Sequence, residues 1–437
     1  LLVIAASAKA LGRAAGLADK GGMKFIAALL LLLVSALPAQ AQTAAQTLVL
    51  RPDRVWTGQA SPPQANWIVV VADGRITAVG PAASVALPDG AREIALPGVT
   101  LTPGLIDLHT HLLLREYAVE SWDDQVLRDS EATRVIRGVA GARETLHAGF
   151  TTVRDLGSEG AGFADVALRN AVSDGSMQGP QMYVATLAIV ARGGYGPRRT
   201  GFRPDLDLPQ GAEEASGVDE VVAAVRNQIA HGADWIKLYG DYRFGNSSVS
   251  RPTFSQAELN AAVATAHDAG LRVSVHAVTD EAIRRAVLAG ADSIEHGYGV
   301  SRETLRLMAR RGVAFVPTLA AADTVRRPEN AGVGDTFRMA LAVGVPIAAG
   351  SDAGVFPHGQ NARELELMVQ NGMTPLQAMI AATRINAAVL NQAGELGVIA
   401  VGARADLAGF AGDPTRDIAA LRNVVFVAQR GVVVREP

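Results

Sequence analysis

Hydrophobic and polar positions change rhythm along this chain. Residues 42–100 read as strands: WIVVV (67–71) and RITAV (75–79) are β-rich runs separated by Ala72-Asp73-Gly74, a hairpin signal. Residues 394–437 close in the same way, with NVVFVAQ and VVVRE flanking Arg430-Gly431. Two β segments at opposite ends predict one small β-sandwich domain assembled from both, because domain termini commonly lie close together.

Between them, residues 101–393 follow another pattern. Helical stretches end repeatedly in glycine, at Gly149, Gly232, Gly270, Gly290, Gly312 and Gly344, where a helix C-cap favours a positive φ. A short β-rich run follows each: FTTVRDL, DWIKLY, RVSVHAV, DSIEHG, VAFVPT and VPIAAGSD. LIDLHTH and MYVATLAIV bring the total to eight strands. Strands alternating with helices imply a parallel sheet, and eight such units in about 260 residues predict an α/β fold, a closed (β/α)8 barrel of the TIM type. Residues 361–393 read as two trailing helices, with Thr374-Pro375 opening the second.

Composition narrows the function classes. The 437 residues are 49% hydrophobic and 19% charged, with a net charge of -3 and no cysteine. The apolar fraction is too high and the charge too small for a disordered chain. Without cysteine there is no disulfide scaffold, no Cys-ligated zinc and no thiol nucleophile. A pI near 6.3 with no long basic run argues against nucleic-acid binding. A globular α/β enzyme acting on a small molecule is the expectation, and a homo-oligomer is compatible with it.

The start of the chain has its own reading. Met23-Lys24, an apolar run over 25–37 and Pro38-Ala39-Gln40-Ala41 follow the order of a secretory signal peptide (23–41) cleaved after Ala41. The run falls short of the roughly 20 apolar residues that span a bilayer. No cysteine follows it, which excludes a lipoprotein. Residues 1–22 then read as an upstream extension. The mature protein is expected to be exported, periplasmic or secreted, with no stable membrane anchor after cleavage.

Candidate metal ligands sort onto strand ends. His276 lies six residues after Gly270, His296 six after Gly290, Lys237 five after Gly232 and Asp352 eight after Gly344. Each falls at the C-terminal end of its strand, the face where barrel active sites are built. His109 and His111 are two residues apart on the first strand, so both side chains point the same way, as two ligands of one metal must. Lys237 has three readings: a structural or phosphate-binding lysine, a Schiff-base lysine, or a carbamate formed with CO2 whose two oxygens bridge two divalent cations. The surrounding histidines and Asp352 favour the carbamate.

The stretches LTPGLIDLHTHL, HAGFTTVRDLG, GADWIKLYG, VSVHA, DSIEHG and AAGSDAG, with the tail VIAVGARADLAGFAGDP, resemble the amidohydrolase superfamily over residues 48–437. Within it, the chain is similar to imidazolonepropionase-like proteins and metal-dependent prolidase-like dipeptidases. The resemblance implies His109, His111 and Asp352 on one metal, His276 and His296 on a second, and carboxylated Lys237 between them, with zinc the usual occupant. It implies hydrolysis of an amide by a metal-bridging hydroxide, with Asp352 as base and then acid, on a dipeptide or an N-acyl amino acid. Related dipeptidases tend to carry a histidine near the position of Tyr195 and a tyrosine at that of Val278, so the likeness does not extend to proline specificity.

Substrate contacts are expected from the barrel loops. VARGGYGPRRTGF after strand three offers Tyr195, Arg198 and Arg199, the arginines suited to a free carboxylate or to solvent. Tyr239 and Tyr242 follow Lys237 as donors or pocket walls, Arg243 less so, and His358 in the last barrel loop is a candidate for the pocket. His147, His231 and His267 precede closing glycines and read as helix C-terminal residues. Three rivals stay open. A mononuclear deaminase lacks the strand-four lysine, a lactonase, esterase or phosphotriesterase uses the same metals, and a non-catalytic scaffold usually loses ligands.

Overall fold

The computed structural model describes residues 47–245, 247–327 and 330–437. The expected upstream extension and signal peptide, with residues 42–46, lie outside the described residues. Residues 47–437 form one compact unit. No described helix is long and apolar enough to cross a membrane.

The two chain ends pair into one sheet. Its order is Val432–Arg435, Val424–Gln429, Leu407–Ala411, Arg92–Pro103, Leu48–Val55, Trp67–Ala72 and Arg75–Pro81, with Gln64–Ala65 attached to Leu48–Val55. The join between the ends is the antiparallel register Leu407↔Pro103 to Phe410↔Thr100. Both expected hairpins form with left-handed residues at the turn, Asp73-Gly74 (φ 51° and 74°) and Arg430-Gly431 (φ 48° and 75°). That twist matches the strands they connect. The turns also abut: Ala405 N–H donates to Gly74 O, and Gly431 N–H donates to Ala405 O, both at 2.9 Å. A Cβ on Gly431 would lie 3.0 Å from Gly74 Cα, so the contact needs glycine.

Arg92–Pro103 leads directly into the first barrel strand, Leu105–Thr110. Gly104 marks the passage, where any Cβ would collide with the Thr151 side chain. The barrel strands are parallel throughout: Leu105–Thr110, Phe150–Asp155 and Gln181–Val184, then Ile189–Val190, Trp235–Tyr239, Arg272–Thr279, Ser293–Gly299 and Ala314–Val316. All six punctuating glycines have positive φ.

Two expected strands are less regular than their sequences suggest. MYVATLAIV breaks into Gln181–Val184 and Ile189–Val190, with Thr186 in left-handed geometry between them. Asp234 N–H bonding Val184 O at 2.8 Å carries the ring across that break. VPIAAGSD forms a single bridge, Phe315↔Ile347. It is still held on both sides: Ala348 N–H donates to Phe315 O (2.9 Å), and Leu108 N–H donates to Ala349 O (3.0 Å). Asn386 clamps this segment, donating to Ile106 O (2.7 Å) and Ala349 O (2.8 Å) and accepting from Ala349 N (3.0 Å). That residue comes from the trailing helices, Ala362–Gln370 and Pro375–Ile380, the latter continuing through a π-turn to Val389. Thr374 and Gln377 cap the second reciprocally, with Pro375 at its first turn.

Candidate metal centre

Of the six side chains expected at the barrel mouth, His109, His111 and Asp352 converge, and His276, His296 and Lys237 lie around them. His109 Nε2 and His111 Nε2 lie 3.7 and 3.3 Å from Asp352 Oδ1. Ligand atoms of these three residues all fall within 4.8 Å of one another, a group able to hold a metal ion. The His296 ring stands 5.1 Å from that of His109 and 4.5 Å from that of His276. Lys237 is buried on the fourth strand, and its charge acts on His109, His276 and His296.

A second layer of contacts fixes three of the imidazoles. His109 Nδ1 meets Glu295 Oε2 at 2.8 Å, His111 Nδ1 meets Gly157 O at 3.0 Å, and His296 Nδ1 meets Thr318 Oγ1 at 2.7 Å. Each bond leaves Nε2 for the centre, as metal-binding histidines require. Glu295 is anchored in turn by Arg154 Nη2 at 2.9 Å, Ser274 Oγ at 2.8 Å and Ser293 Oγ at 2.6 Å.

Backbone strain concentrates at the same mouth. Glu159, Thr186, His296, Thr318 and Asp352 have φ of 52°, 59°, 71°, 48° and 64°, in the region L-residues avoid. Such conformations cost of the order of 1–3 kcal/mol each and persist where the surroundings over-determine them, commonly at functional sites.

Burial and charge set the donors' protonation. Burial, with help from the Lys237 charge, lowers His109 to about 4. Burial and His109 lower His296 to about 3, and burial and His296 hold His276 well below the usual imidazole range. Burial, reinforced by the Arg154 charge and opposed by Glu295 and Asp352, pushes Lys237 down to about 8, toward the neutral amine that reacts with CO2. His111 goes the other way: burial opposes its charge, but the Asp352 hydrogen bond and the Glu159 charge lift it to about 9. For Asp352, burial is outweighed by His109 and His111, so its carboxyl sits far below the ordinary range. His109, His276 and His296 are thus neutral donors, His111 must release its proton to bind, and with the ionised Asp352 they offer the donor chemistry of a divalent metal such as zinc, which the residues present fit.

The cavity over this centre is lined by Tyr117, Glu159, Tyr195, Tyr239 and Tyr242, together with Tyr298, Arg327 and Val355. Tyr195, Tyr239 and Tyr242 thus stand where expected. The arginines do not. Arg199 lies outside the cavity in a bidentate pair with Glu214 (2.8 and 3.0 Å), and Arg198 reaches Ser247 O at 3.5 Å. His358 also misses it, because its Nε2 meets Leu114 O at 2.9 Å and it faces a different cavity with Glu144 and Arg422. Arg243 lies over the Tyr242 ring at 5.1 Å. His147, His231 and His267 sit at helix ends, His267 beside Asp292 at 2.9 Å.

Sequence reasoning missed Glu295, Arg154, Glu159, Tyr117, Tyr298 and Arg327. A signal existed for two of them, an acid in DSIEHG and a base in FTTVRDL, each ionisable inside an apolar barrel strand. Glu159, Tyr117 and Arg327 come from loops with no periodicity to expose them.

Comparison with known proteins agrees with this geometry. The amidohydrolase family model matches residues 100–435. An uncharacterized protein of Mycobacterium tuberculosis is 30% identical over 382 residues, covering 84% of this chain and 90% of that protein. Ochratoxinase of Aspergillus niger is 29% identical over 368 residues, 73% of this chain and 71% of that enzyme. Among solved structures, a Xaa-Pro dipeptidase with bound methionine in its active site superposes with a TM-score of 0.81 at 33% identity, covering 89% of this chain and 100% of that one.

Proposed function

Because the chain belongs to the amidohydrolase family, we propose that it hydrolyses the amide bond of a small dipeptide or N-acyl amino acid at a centre of two divalent cations, zinc being the usual choice. The observation that carries this reading is the convergence of His109, His111 and Asp352, with both imidazoles oriented by bonds from behind. The similarity to a Xaa-Pro dipeptidase and to ochratoxinase supports a carbon–nitrogen bond as the target.

His109, His111 and Asp352 would hold one ion and His276 and His296 the other, with Lys237 as a carbamate between them. When bound, such cations acidify water and polarise the scissile carbonyl. Asp352, kept ionised by its histidine neighbours, takes the proton of the attacking water on a carboxylate oxygen and delivers it to the departing amine nitrogen. The tyrosines around the cavity limit access of bulk water. We further propose export, supported by the apolar run before Ala41.

The test is Asp352→Asn. Loss of a general base and acid lowers kcat by about 10³-fold, with most of the bound metal retained as measured by mass spectrometry. Near-normal turnover in that variant contradicts the assignment.

A further inference from the structure

We propose, resting on the amide-hydrolase reading above, that the cavity selects substrates whose scissile carbonyl stands beside a free α-ammonium group, and that Glu159 binds this ammonium. Dipeptides with an unblocked amino terminus are then the substrates, in preference to N-acyl amino acids.

Glu159 is 2% exposed and lines the cavity. Its Oε2 accepts from Trp122 Nε1 and from Tyr195 Oη, both at 2.7 Å. Its Oε1 has no hydrogen-bond partner among the described residues. Leaving one oxygen of a buried carboxylate unmatched is unfavourable, and the left-handed backbone at Glu159 adds strain. The loop is nevertheless held in place. Arg134, itself buried, donates through Nη2 to Ser158 O (3.3 Å) and Glu159 O (3.1 Å). A fixed anionic acceptor of this kind is built to meet a cation.

The walls around it suit the same ligand. Tyr195, Tyr239 and Tyr242 form a mutual cluster, with ring centroids 4.5, 4.9 and 5.8 Å apart and tilted or edge-on contacts. Such rings attract an ammonium through their faces. Tyr239 also stacks on the metal-centre residue His276 at 4.5 Å, and Glu159 Oε1 lies 3.7 Å from His111 Nδ1. Carboxylate and cage therefore each adjoin a residue of the metal centre. In an aminoacyl substrate the ammonium nitrogen is two bonds from the scissile carbon. An acyl group lacking that nitrogen leaves Glu159 Oε1 unmatched.

The test uses the metal-loaded full chain with a panel of aminoacyl-alanine dipeptides and the matching acyl-alanines that lack only the α-amino group. The expected result is a kcat/KM preference of about 100-fold for the best free dipeptide over its partner. In Glu159→Gln that preference falls below about 5-fold, chiefly through a raised KM for the dipeptide. Equal or better cleavage of the acyl-alanine overturns the inference and leaves amide hydrolysis standing. A Glu159→Gln variant that loses activity on both substrates alike also overturns it, because Glu159 then acts through His111. If Gln at position 159 prevents folding, the preference of the unaltered protein decides. No turnover of either series by protein carrying its metals overturns the amide reading, and the inference with it.

Discussion

The sheet made by the chain ends and the mouth of the barrel bury opposite kinds of residue. In the sheet, Leu50, Val69, Leu101, Leu407 and Phe426 pack on one another with apolar surface alone. At the mouth, Arg154, Glu295, Lys237, His109 and Asp352 are buried within one barrel. Apolar burial stabilises by roughly 25 cal/mol per Å² and tolerates imprecision. Burying an ion costs several kcal/mol unless its partners are well placed. The first region explains why the chain folds, whereas the second keeps an unfavourable arrangement that folding alone does not require. That contrast is what singles out the mouth as the working part of the molecule.

The contrast can be strained most by removing a charge from the second layer. Glu295→Gln leaves the Arg154 guanidinium buried without its counter-charge. A stability loss of about 4 kcal/mol is expected in denaturant unfolding. Metal affinity falls about 10–100-fold as well, because His109 loses its orienting bond. An apolar deletion in the sheet separates the regions from the other side. Leu101→Ala costs about 3 kcal/mol by cavity formation, with metal bound per folded chain and kcat unchanged. A change in kcat would show that the sheet does more than support the barrel.

A pH slope tests buried charge without touching the metal ligands. Burial raises the Glu364 carboxyl to about 8 at the start of the helix Ala362–Gln370. The folded chain therefore keeps a proton that the unfolded chain releases above about 4.5, so this group reduces stability as pH rises between those values. Its contribution is at most about 1.4 kcal/mol per pH unit. Glu364→Gln removes it, and unfolding midpoints measured from pH 5 to 8 should flatten relative to the unaltered protein.

Different physical signals made the two regions legible in the sequence to different depths. Asp73-Gly74 and Arg430-Gly431 declared their hairpins because few residues accept that backbone, and the six closing glycines declared the strand starts for the same reason. His109 and His111 were legible through period-two alternation. His296 was placed at its strand end, but alternation alone misleads there. Glu295 and His296 are adjacent, yet Glu295 bonds His109 while the His296 ring lies 5.1 Å from the same residue. The left-handed φ of 71° at His296 breaks the alternation and turns both side chains inward. Arg199 illustrates the converse failure: composition placed a cation in the right loop, but Glu214, fifteen residues on, claims it. Pairings set by tertiary contact leave no local trace.

The central claim is that the buried polar mouth holds two divalent cations through His109, His111, His276, His296, Asp352 and carboxylated Lys237. The most direct measurement is metal content per chain of protein purified with zinc and bicarbonate supplied, alongside Lys237→Ala prepared identically. The unaltered protein is expected to carry close to two ions and the variant to lose at least one, with partial return of activity on adding a short carboxylate. Fewer than one ion per chain in the unaltered protein, or two in both, would contradict it.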